Sequence, residues 1–541
     1  MKRAVEFVLK RFRRWIFNIT KYKPLREQFK SIKREQIIDK TIVLNLAKRY
    51  RAEIESQLFL IKMLALKGAK IKVLLDDGVL YHWDSYQFDL LSNINKMKRL
   101  SFNPYRFDMQ RLFHPKLLFY SLSNYNARFL LKRAYKTFKD KNIEFILYSD
   151  IFNEKKINIK GWKDLKKHAE SSTMRFFKNS ELDFNNEYIY HYYKLSYKNA
   201  LLCKNIGEYV LNTIKPDVFI NPHGIYSTHG PAFELLKENG IHCLAVGGFL
   251  VHGDDLNKYF MSDTCIQLLS RSKYWKEFRD TPVDEKMERI MRKYFKDRIK
   301  GEVKDTKKYY GGEKNLFQVD KNDGYKYHIA MFPNVIWDGN LKERHNIFNG
   351  IIDWIIETVD HIKNNNDIKL YIKAHPAELI LSNNSPRVIE LVKKRVDLDK
   401  YNNIEIITPE KKIDTYKFLK SGIDVGLCYD GFLAMEMPYL RIPAIMCVKG
   451  GFTSIKGGNF IPNNKEEYFN YLNNIESLIT EFNENYYEKY LKNTIRYLYW
   501  YLFENPFKIL NIDNEKLISQ GVKQIKKEKI VFDKKIFKYL E

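Results

Sequence analysis

The sequence contains only five cysteines in 541 residues, and no two of them form a Cys-x-x-Cys pair. This excludes a small disulfide-stapled scaffold, gives no sign of a structural zinc site and predicts a reducing, cytoplasmic environment. Long apolar runs are missing too, since none approaches the roughly 18–20 residues that a membrane-spanning helix needs. No signal peptide is expected, because residues 1–20 lack an uninterrupted apolar stretch and a small-residue cleavage site.

Acidic residues are in deficit: 66 Asp and Glu stand against 93 Lys and Arg, which gives a formal charge of +27 and a pI near 9.4. Such a basic chain favours polyanionic partners, namely phosphates, nucleic acid or an anionic membrane surface. Hydrophobic residues make up 45% and charged residues 29%, as in ordinary folded proteins. Global disorder and a collagen-like fold are therefore excluded.

Residues 1–40 begin with the pattern of a basic amphipathic helix. Val5, Val8, Leu9, Phe12 and Trp15 recur at helical spacing, with many Lys and Arg around them. One interpretation is a helix that lies on the inner face of the cell membrane and contacts anionic headgroups. The alternative is a helix that packs on the protein's own core and exposes its charges to water.

The remainder of the chain alternates short β-branched runs with helical patterns, which predicts parallel α/β sheets. We expect two Rossmann-like domains that face a central cleft, preceded by the amphipathic helix and followed by C-terminal helices. The expected parts are the helical segment 1–40, an acceptor domain 41–300, a linker 301–326, a donor domain 327–480 and helices 481–541 that pack back on the first domain. Ligands of such sheets bind at the carboxyl ends of the strands.

The strongest candidate site follows the strand predicted over 368–372. Lys373 and His375 come directly after it, Pro376 forces a turn, and Glu378 follows. An ammonium and an imidazole N–H together suit a phosphate or diphosphate. Glu378 could accept a hydrogen bond from a hydroxyl or orient the histidine.

A second candidate site lies downstream, after the strand predicted over 424–428. Asp430 and Gly431 form a turn before a helix that carries Glu436, which would reach the hydroxyls of a ribose. Glycine-rich loops with one cation each come next, and the candidates there are Lys456, Gly457 and Gly458. In this order, and at strand ends, these residues predict a binding site for a nucleoside monophosphate or diphosphate.

A third group follows the strand predicted over 217–220 in the first half. His223 is a candidate general base for an acceptor hydroxyl, and Tyr226 would face the acceptor. A structural turn is the alternative for this segment. Acidic candidates for the base or for acceptor contact are also present at predicted strand ends, and the sequence does not choose among them: Glu53, Asp76, Asp77, Asp254 and Asp255.

In order, these motifs resemble the bacterial and archaeal capsule and surface-polysaccharide glycosyltransferases of the GT-B type, including capsular Kdo-transferase-like proteins with an His-Pro motif. Four stretches carry the resemblance: 218–231, 333–338 with Phe348 and Trp354, 373–378, and 429–468. It implies a metal-independent enzyme, with no cofactor besides the nucleotide-sugar substrate, that holds its donor through His375, Glu436 and the glycine loops. The sequence departs from the family at Tyr429-Asp430-Gly431-Phe432, where a Ser- and Thr-rich turn is usual, and at Lys48-Arg49-Tyr50-Arg51 in the first loop.

We therefore expect a glycosyltransferase that moves a sugar from a nucleotide-activated donor to a surface-glycan acceptor hydroxyl, peripheral on the inner face of the cell membrane. The expected partners are the nucleotide sugar, a glycan or lipid-linked glycan acceptor and the anionic membrane surface, without nucleic acid. The alternatives are a teichoic-acid-like transferase of CDP-activated polyol phosphate, a sugar-nucleotide epimerase on the same fold, and a non-enzymatic protein that binds nucleic acid or membrane.

Overall fold

The computed structural model describes residues 22–47, 51–76, 79–81, 136–153, 165–247, 258–303, 316–339, 347–381, 386–448, 458–508 and 533–541. The chain forms two compact units. The first unit comprises Met1–Phe176, Asp183–Asp263 and Pro506–Glu541, and the second comprises Phe177–Leu182 and Thr264–Asn505. The amphipathic pattern at the start of the chain lies outside the described residues.

The strands, in chain order, are β1 Thr41–Leu46, β2 Lys70–Leu75, β3 Ile143–Leu147, β4 Val218–Asn221, β5 His242–Gly247, β6 Lys258–Ser262, β7 Tyr327–Phe332, β8 Ile368–Lys373, β9 Ile404–Ile407, β10 Val425–Cys428, β11 Ala444–Met446 and β12 Phe507–Lys508. Central strands such as β4 and β10 are buried at every residue. Burial of both faces is typical of parallel strands that helices cover on two sides.

The helices are α1 Tyr22–Ser31, α2 Arg51–Leu66, α3 Tyr148–Asn153, α4 Leu165–Phe177, α5 Glu187–Tyr209, α6 Gly230–Glu238, α7 Lys273–Phe278, α8 Glu285–Ile299, α9 Ile351–Ile362, α10 Glu378–Leu381, α11 Val388–Lys393, α12 Thr415–Lys420, α13 Phe432–Glu436, α14 Lys465–Asn473, α15 Ile475–Glu484, α16 Lys492–Tyr499 and α17 Phe537–Leu540. Side-chain caps define several of their starts. Asn186 accepts from two backbone N–H groups of α5, as Asp414 does at α12, and Asp284 accepts from one backbone N–H group of α8.

The sheet of the first unit has the strand order β12-β6-β5-β4-β1-β2-β3. Strands β1 to β5 pair in parallel, and β6 joins β5 in the antiparallel sense. The two-residue strand β12 then pairs antiparallel with β6. Residues near the end of the chain therefore complete the edge of a sheet that starts at Thr41.

The sheet of the second unit is parallel throughout, in the order β11-β10-β7-β8-β9. This is the order of a Rossmann half, as is the run β5-β4-β1-β2-β3 in the first unit. In both units the strand order reverses beside the first strand, between β1 and β4 and between β7 and β10. These two sheets confirm the expected fold class of two Rossmann-like domains.

The described part of the chain divides differently from the expected boundaries. Helices α7 and α8 and the helical residues up to 504 belong to the second unit, although the expectation assigned residues 41–300 to the first domain. Trp275 of α7 packs against Tyr497 and Trp500, with ring centroids 4.9 and 5.4 Å apart. Of the segment 481–541, only residues from Pro506 onwards belong to the first unit.

A buried ion cluster ties three parts of the first unit together. The Asp140 carboxylate is fully buried and accepts from Lys62 Nζ at 2.7 Å and from Arg34 Nη2 at 2.5 Å. Burial by itself raises the pKa of Asp140, but these two cations and the backbone N–H of Asn142 lower it to about 2. The carboxylate therefore stays ionised inside the protein.

Candidate functional site

A cavity opens at the carboxyl edge of the second unit's sheet, beside the point where the strand order reverses. The segments that leave β7, β8 and β10 line it, together with the start of α12 and the end of α8. Open α/β sheets bind their ligands at this position, because neighbouring connections depart to opposite faces there. The lining residues used below are Arg298, Asn334, Lys373, His375, Asp414, Tyr416, Asp430, Gly431, Phe432 and Glu436.

Lys373 supplies a buried ammonium at the end of β8. Its side chain lines the cavity, and the residue is only 7% exposed. Burial lowers its pKa to about 8, and the negative charge of Asp414 opposes this shift. The Oδ1 of Asp414 accepts from the backbone N–H groups of Tyr416 and Lys417. The cavity therefore holds a cation that an incoming anion would stabilise.

His375 lies two residues beyond Lys373 and is neutral at physiological pH. Burial, together with the charge of the neighbouring Lys373, lowers its pKa to about 4. Its Nδ1 accepts from the backbone N–H of Ala377 at 3.1 Å, so the neutral ring carries its proton on Nε2. The sequence-predicted pair of an ammonium and an imidazole N–H donor is thus brought together in one cavity.

Glu436 is a buried residue that also lines the cavity. It is 2% exposed, and Arg298 Nε forms an ion pair with its Oε1. The Tyr416 hydroxyl donates to Oε2 at 3.0 Å. The Arg298 guanidinium also lies over the Phe432 ring, 4.7 Å from its centroid. A buried carboxylate needs such partners.

The turn between β10 and α13 is held in shape by Asn334, which follows β7. The backbone N–H of Asp430 donates to Asn334 Oδ1 at 3.0 Å, and the N–H of Gly431 donates to Asp430 Oδ1 at 2.8 Å. Gly431 has φ +129°, and a Cβ there would stand 3.1 Å from Asn334 Nδ2. The turn therefore requires glycine, and both predicted residues, Asp430 and Gly431, line the cavity.

The structure does not bring Glu378 into the cavity. The first turn of α10 directs it towards the start of α11, where it is 5% exposed and its Oε2 has no hydrogen-bond partner among the described residues. Burial raises its pKa to about 7, although the backbone at Val388 and the charge of Arg387 act in the opposite direction. Glu378 is therefore not among the residues that could contact a donor in this cavity.

The glycine loops are only partly described. Lys456 and Gly457 lie outside the described residues, so their predicted role at a phosphate stays a prediction. Gly458 is described just before the bridge of Phe460 to Ile445, and it is not one of the lining residues.

In the first unit, the segment after β4 forms a tightly bonded turn. Asn221 donates to the carbonyl oxygens of His223 and His229 at 2.6 and 2.9 Å, and it accepts from Asn45 at 3.2 Å. His223 is half-buried and packs 4.8 Å from the ring centroid of Tyr226. The turn therefore holds His223 at the carboxyl edge of its sheet, as the sequence predicted.

Tyr226 is fully buried, and the Arg175 guanidinium covers its ring at 4.3 Å from the centroid. The expected contact of this ring with an acceptor is therefore at odds with its position. Among the acidic candidates, Asp76 accepts from the backbone N–H groups of Val79 and Leu80. Glu53 is part of α2, and its side chain is not described; Asp77, Asp254 and Asp255 lie outside the described residues.

Arg298 and Tyr416 are cavity residues that the sequence analysis missed. The signal for Arg298 was present, because Met287, Met291 and Phe295 recur at helical spacing behind the Asp284 cap. That pattern predicts α8, whose last turn carries the arginine. Its meeting with Glu436, 138 residues further along the chain, leaves no trace in local sequence.

The described residues contain no cluster of His, Cys, Asp and Glu with the geometry to hold a metal ion. All five cysteines are described, buried and unpaired with one another. Across the described helices, none is both long and apolar enough to cross a bilayer.

No family model and no curated protein matches this sequence. Among solved structures, the chain is similar to the KpsC beta Kdo 2,4 transferase of Thermosulfurimonas dismutans, with 12% identity over 57% of this chain and 87% of that one and a TM-score of 0.35. It is also similar to S. aureus MnaA in a structure with UDP (14% identity, 86% and 97% of the two chains, TM-score 0.25). A third match is the UDP-GlcNAc 2-epimerase of Neisseria meningitidis bound to UDP-GlcNAc (10% identity, 86% and 99%, TM-score 0.20). Kdo transferases, which the sequence resemblance named, are thus among the matching structures.

Proposed function

We propose that the cavity of the second unit binds the phosphate and ribose of a nucleotide-activated sugar, and that the protein is a glycosyltransferase acting on a surface glycan. The observation that carries the proposal is the pairing of Lys373 and His375 with Glu436 across one cavity at the reversal of the strand order. The first pair supplies donors for a phosphate, and the carboxylate supplies acceptors for sugar hydroxyls.

The chemistry follows from the charge that develops on the donor. When the bond between the anomeric carbon and the phosphate oxygen breaks, negative charge accumulates on the departing nucleotide. The Lys373 ammonium and the Nε2–H of His375 would stabilise this charge in surroundings from which most water is excluded. A neutral histidine is suited to this role, because it donates without adding a second buried cation.

The acceptor hydroxyl would attack the anomeric carbon and lose its proton to a general base. His223 stays the predicted base, since its turn follows β4 at the carboxyl edge of its own sheet. For a glycan acceptor built on a lipid, the basic N-terminal segment would hold the enzyme at the inner face of the membrane.

The test is a thermal-shift screen of the protein against CMP, CDP, UDP, GDP and ADP. We expect selective stabilisation by one of them, since a ligand at 100 times its Kd adds about 2.7 kcal/mol to the folded state. The stabilisation should disappear in His375→Ala and Lys373→Met. The matched control is His361→Ala. His361 is an exposed residue of the same unit that does not line the cavity, and the hydrogen bond described for it is with Asn473.

The reaction is then followed by mass spectrometry with the matching nucleotide sugar. A transferase releases nucleotide and lengthens an added glycan, whereas an epimerase converts the sugar nucleotide without any acceptor. A CDP-polyol as the substrate would identify the phosphotransferase alternative. A folded protein that none of the five nucleotides stabilises would refute the proposed donor site.

A further inference from the structure

A row of exposed and half-buried aromatic rings lies along the first part of α5 in the first unit. We call Phe184, Tyr190, Tyr193, Tyr197 and Tyr81 the aromatic ridge. Phe184, Tyr190 and Tyr81 are 38%, 44% and 40% exposed, whereas most large apolar side chains of this protein are buried. Exposed aromatic side chains that cluster in this way mark interaction surfaces.

Three of the five rings share one face of α5, and Phe184 packs against two of them. Tyr190, Tyr193 and Tyr197 follow one another at spacings of three and four residues, and the helix rises about 10 Å between the first and the last. The Phe184 ring lies 4.9 Å from Tyr193 and 6.4 Å from Tyr190, between centroids, and Tyr193 lies 6.4 Å from Tyr197. The rings therefore form a platform of several aromatic faces and edges.

Two lysines interleave with the rings. Lys194 Nζ lies 4.5 Å from the Tyr190 ring centroid, and Lys198 Nζ lies 5.4 Å from that of Tyr81. Tyr81 is fixed beside the helix, because its backbone N–H donates to Asn199 Oδ1 at 2.8 Å. Neither ammonium forms an ion pair with a carboxylate in the part of the chain that the structure describes. Both are exposed and can receive an anionic group.

The charge along the ridge is mixed, and its cations are sparse. Exposed carboxylates, Asp183 and Glu187, flank its Phe184 end. Glu170, whose charge reaches Tyr193, is buried and pairs with Lys166 at 3.5 Å. A nucleic acid strand, with one phosphate about every 3.4 Å, would need a denser track of cations than this.

We propose that the aromatic ridge binds an anionic oligosaccharide, with sugar rings on the aromatic faces and carboxylate or phosphate groups at Lys194 and Lys198. The carbon-bound hydrogens of a sugar ring pack on aromatic faces, while the tyrosine hydroxyls exchange hydrogen bonds with sugar hydroxyls. Sparse cations match a chain that carries one charge for every one or two sugars. The ridge lacks the exposed Leu, Ile or Trp that would enter a lipid layer.

This inference rests on the proposed function, since it takes the acceptor glycan to be the bound chain. It is measured without any nucleotide sugar, so that a failed ridge and a failed donor cavity give separate results. The probe is a hexamer of galacturonic acid, and the comparison ligands are maltohexaose, a ten-nucleotide oligothymidine and vesicles of phosphatidylcholine and phosphatidylglycerol.

We expect the acidic hexamer to bind the full chain with an affinity at least tenfold above that of maltohexaose. The double variant Tyr190→Ala, Tyr193→Ala should lose about tenfold or more of that affinity, as removal of a stacking ring typically does. Tyr190→Phe should retain most of the binding if stacking dominates. Lys194→Gln with Lys198→Gln should remove the preference for the acidic hexamer and leave the weak neutral binding unchanged.

Tyr487→Ala with its neighbour Lys492→Gln is the matched control. Tyr487 is also 44% exposed and has an ammonium 4.8 Å from its ring centroid, but no second aromatic ring packs against it in the described structure. This variant should bind like the parent protein. Circular dichroism and the thermal midpoint report that every variant is folded.

Three results would overturn the inference. One is failure of the parent protein to bind the acidic hexamer. Another is binding that the ridge variants and the control variant reduce equally. The third is a ridge-dependent preference for oligothymidine or for vesicles over both sugars, which would make the ridge a nucleic-acid or membrane surface instead.

Discussion

In the proposed donor site, the burial of Lys373 would make nucleotide binding depend on pH in a defined direction. Burial lowers the pKa of this ammonium to about 8, so raising the pH through 8 discharges it in the free protein. A bound phosphate favours the charged form and raises the pKa again. Binding above pH 8 therefore takes up a proton, and the affinity falls as the pH rises.

The size of the effect follows from the titration. At pH 9 a group of pKa 8 is about 10% protonated, so binding should take up about 0.9 proton; at pH 7 it should take up about 0.1. The affinity should fall towards tenfold per pH unit above 8, or about 1.4 kcal/mol. His375 adds nothing in this range, since its pKa of about 4 leaves it neutral.

The assay is isothermal titration calorimetry with the nucleotide chosen by the thermal-shift screen, at pH 7 and pH 9. Two buffers of different ionisation enthalpy at each pH give the number of protons taken up. Lys373→Arg should abolish the uptake, because an arginine stays charged throughout. Lys369→Arg is the control: it lies on the same strand, and its ammonium donates to the Asn402 carbonyl at 2.6 Å, away from the cavity.

The reasoning would be refuted by a constant affinity between pH 7 and 9.5 in the parent protein. It would equally be refuted if the proton uptake at pH 9 persisted in Lys373→Arg. Either result would mean that the Lys373 ammonium does not bind the phosphate of the nucleotide.

Three further substitutions test other parts of the structure. Asp140→Asn should destabilise the protein by about 3 kcal/mol at pH 7, since it leaves Arg34 and Lys62 without their buried partner. Because the pKa of Asp140 is lowered to about 2, the difference in unfolding free energy between variant and parent, measured with urea, should shrink as the pH falls below 4 towards 2. Glu378→Gln should stabilise the protein at pH 8 by up to roughly 3 kcal/mol and should change its stability little at pH 5. Burial raises the pKa of Glu378 to about 7, so the ionisation of this carboxyl destabilises the fold as the pH rises through that value. Melting curves across pH 5–8 check the sign. Gly431→Ala should strain the turn by about 1–3 kcal/mol and remove the thermal shift given by nucleotide, while circular dichroism shows the fold intact.

The parallel strands of this protein could be predicted because their signal is local. Runs of β-branched and apolar residues predict strands over 368–372 and 424–428, each within one residue of the observed Ile368–Lys373 and Val425–Cys428, and the polar residues after each strand indicate the candidate functional edge. That rule placed Lys373 and His375 at the edge where the structure has its cavity. The rule needs only to know which residues follow each strand in the sequence, and these residues lie at the end of that strand in the fold.

The missed features depend on contacts between distant segments. The two residues of β12 are too short to show any periodicity, and they become a strand only by pairing with β6. The burial of Tyr226 depends on Arg175 of α4, a helix for which the sequence analysis had no prediction. Glu378 has the right spacing from His375, but the turn of α10 directs it away from the cavity.

The antiparallel pair of β6 and β12 has a consequence for the order in which the protein can fold as it is made. From Ser262 to Phe507 the ribosome adds 245 residues, which takes on the order of 10–50 s at 5–20 residues per second. During that time almost the whole second unit is synthesised, and the edge of β6 that pairs with β12 has no partner strand. Lys40 and His242 also lack their hydrogen-bond partners until then, because these partners are the carbonyl oxygens of Leu540 and Tyr539. The unit that begins first is therefore the one that is completed last, and its open edge is the part of the nascent chain most in need of protection from aggregation.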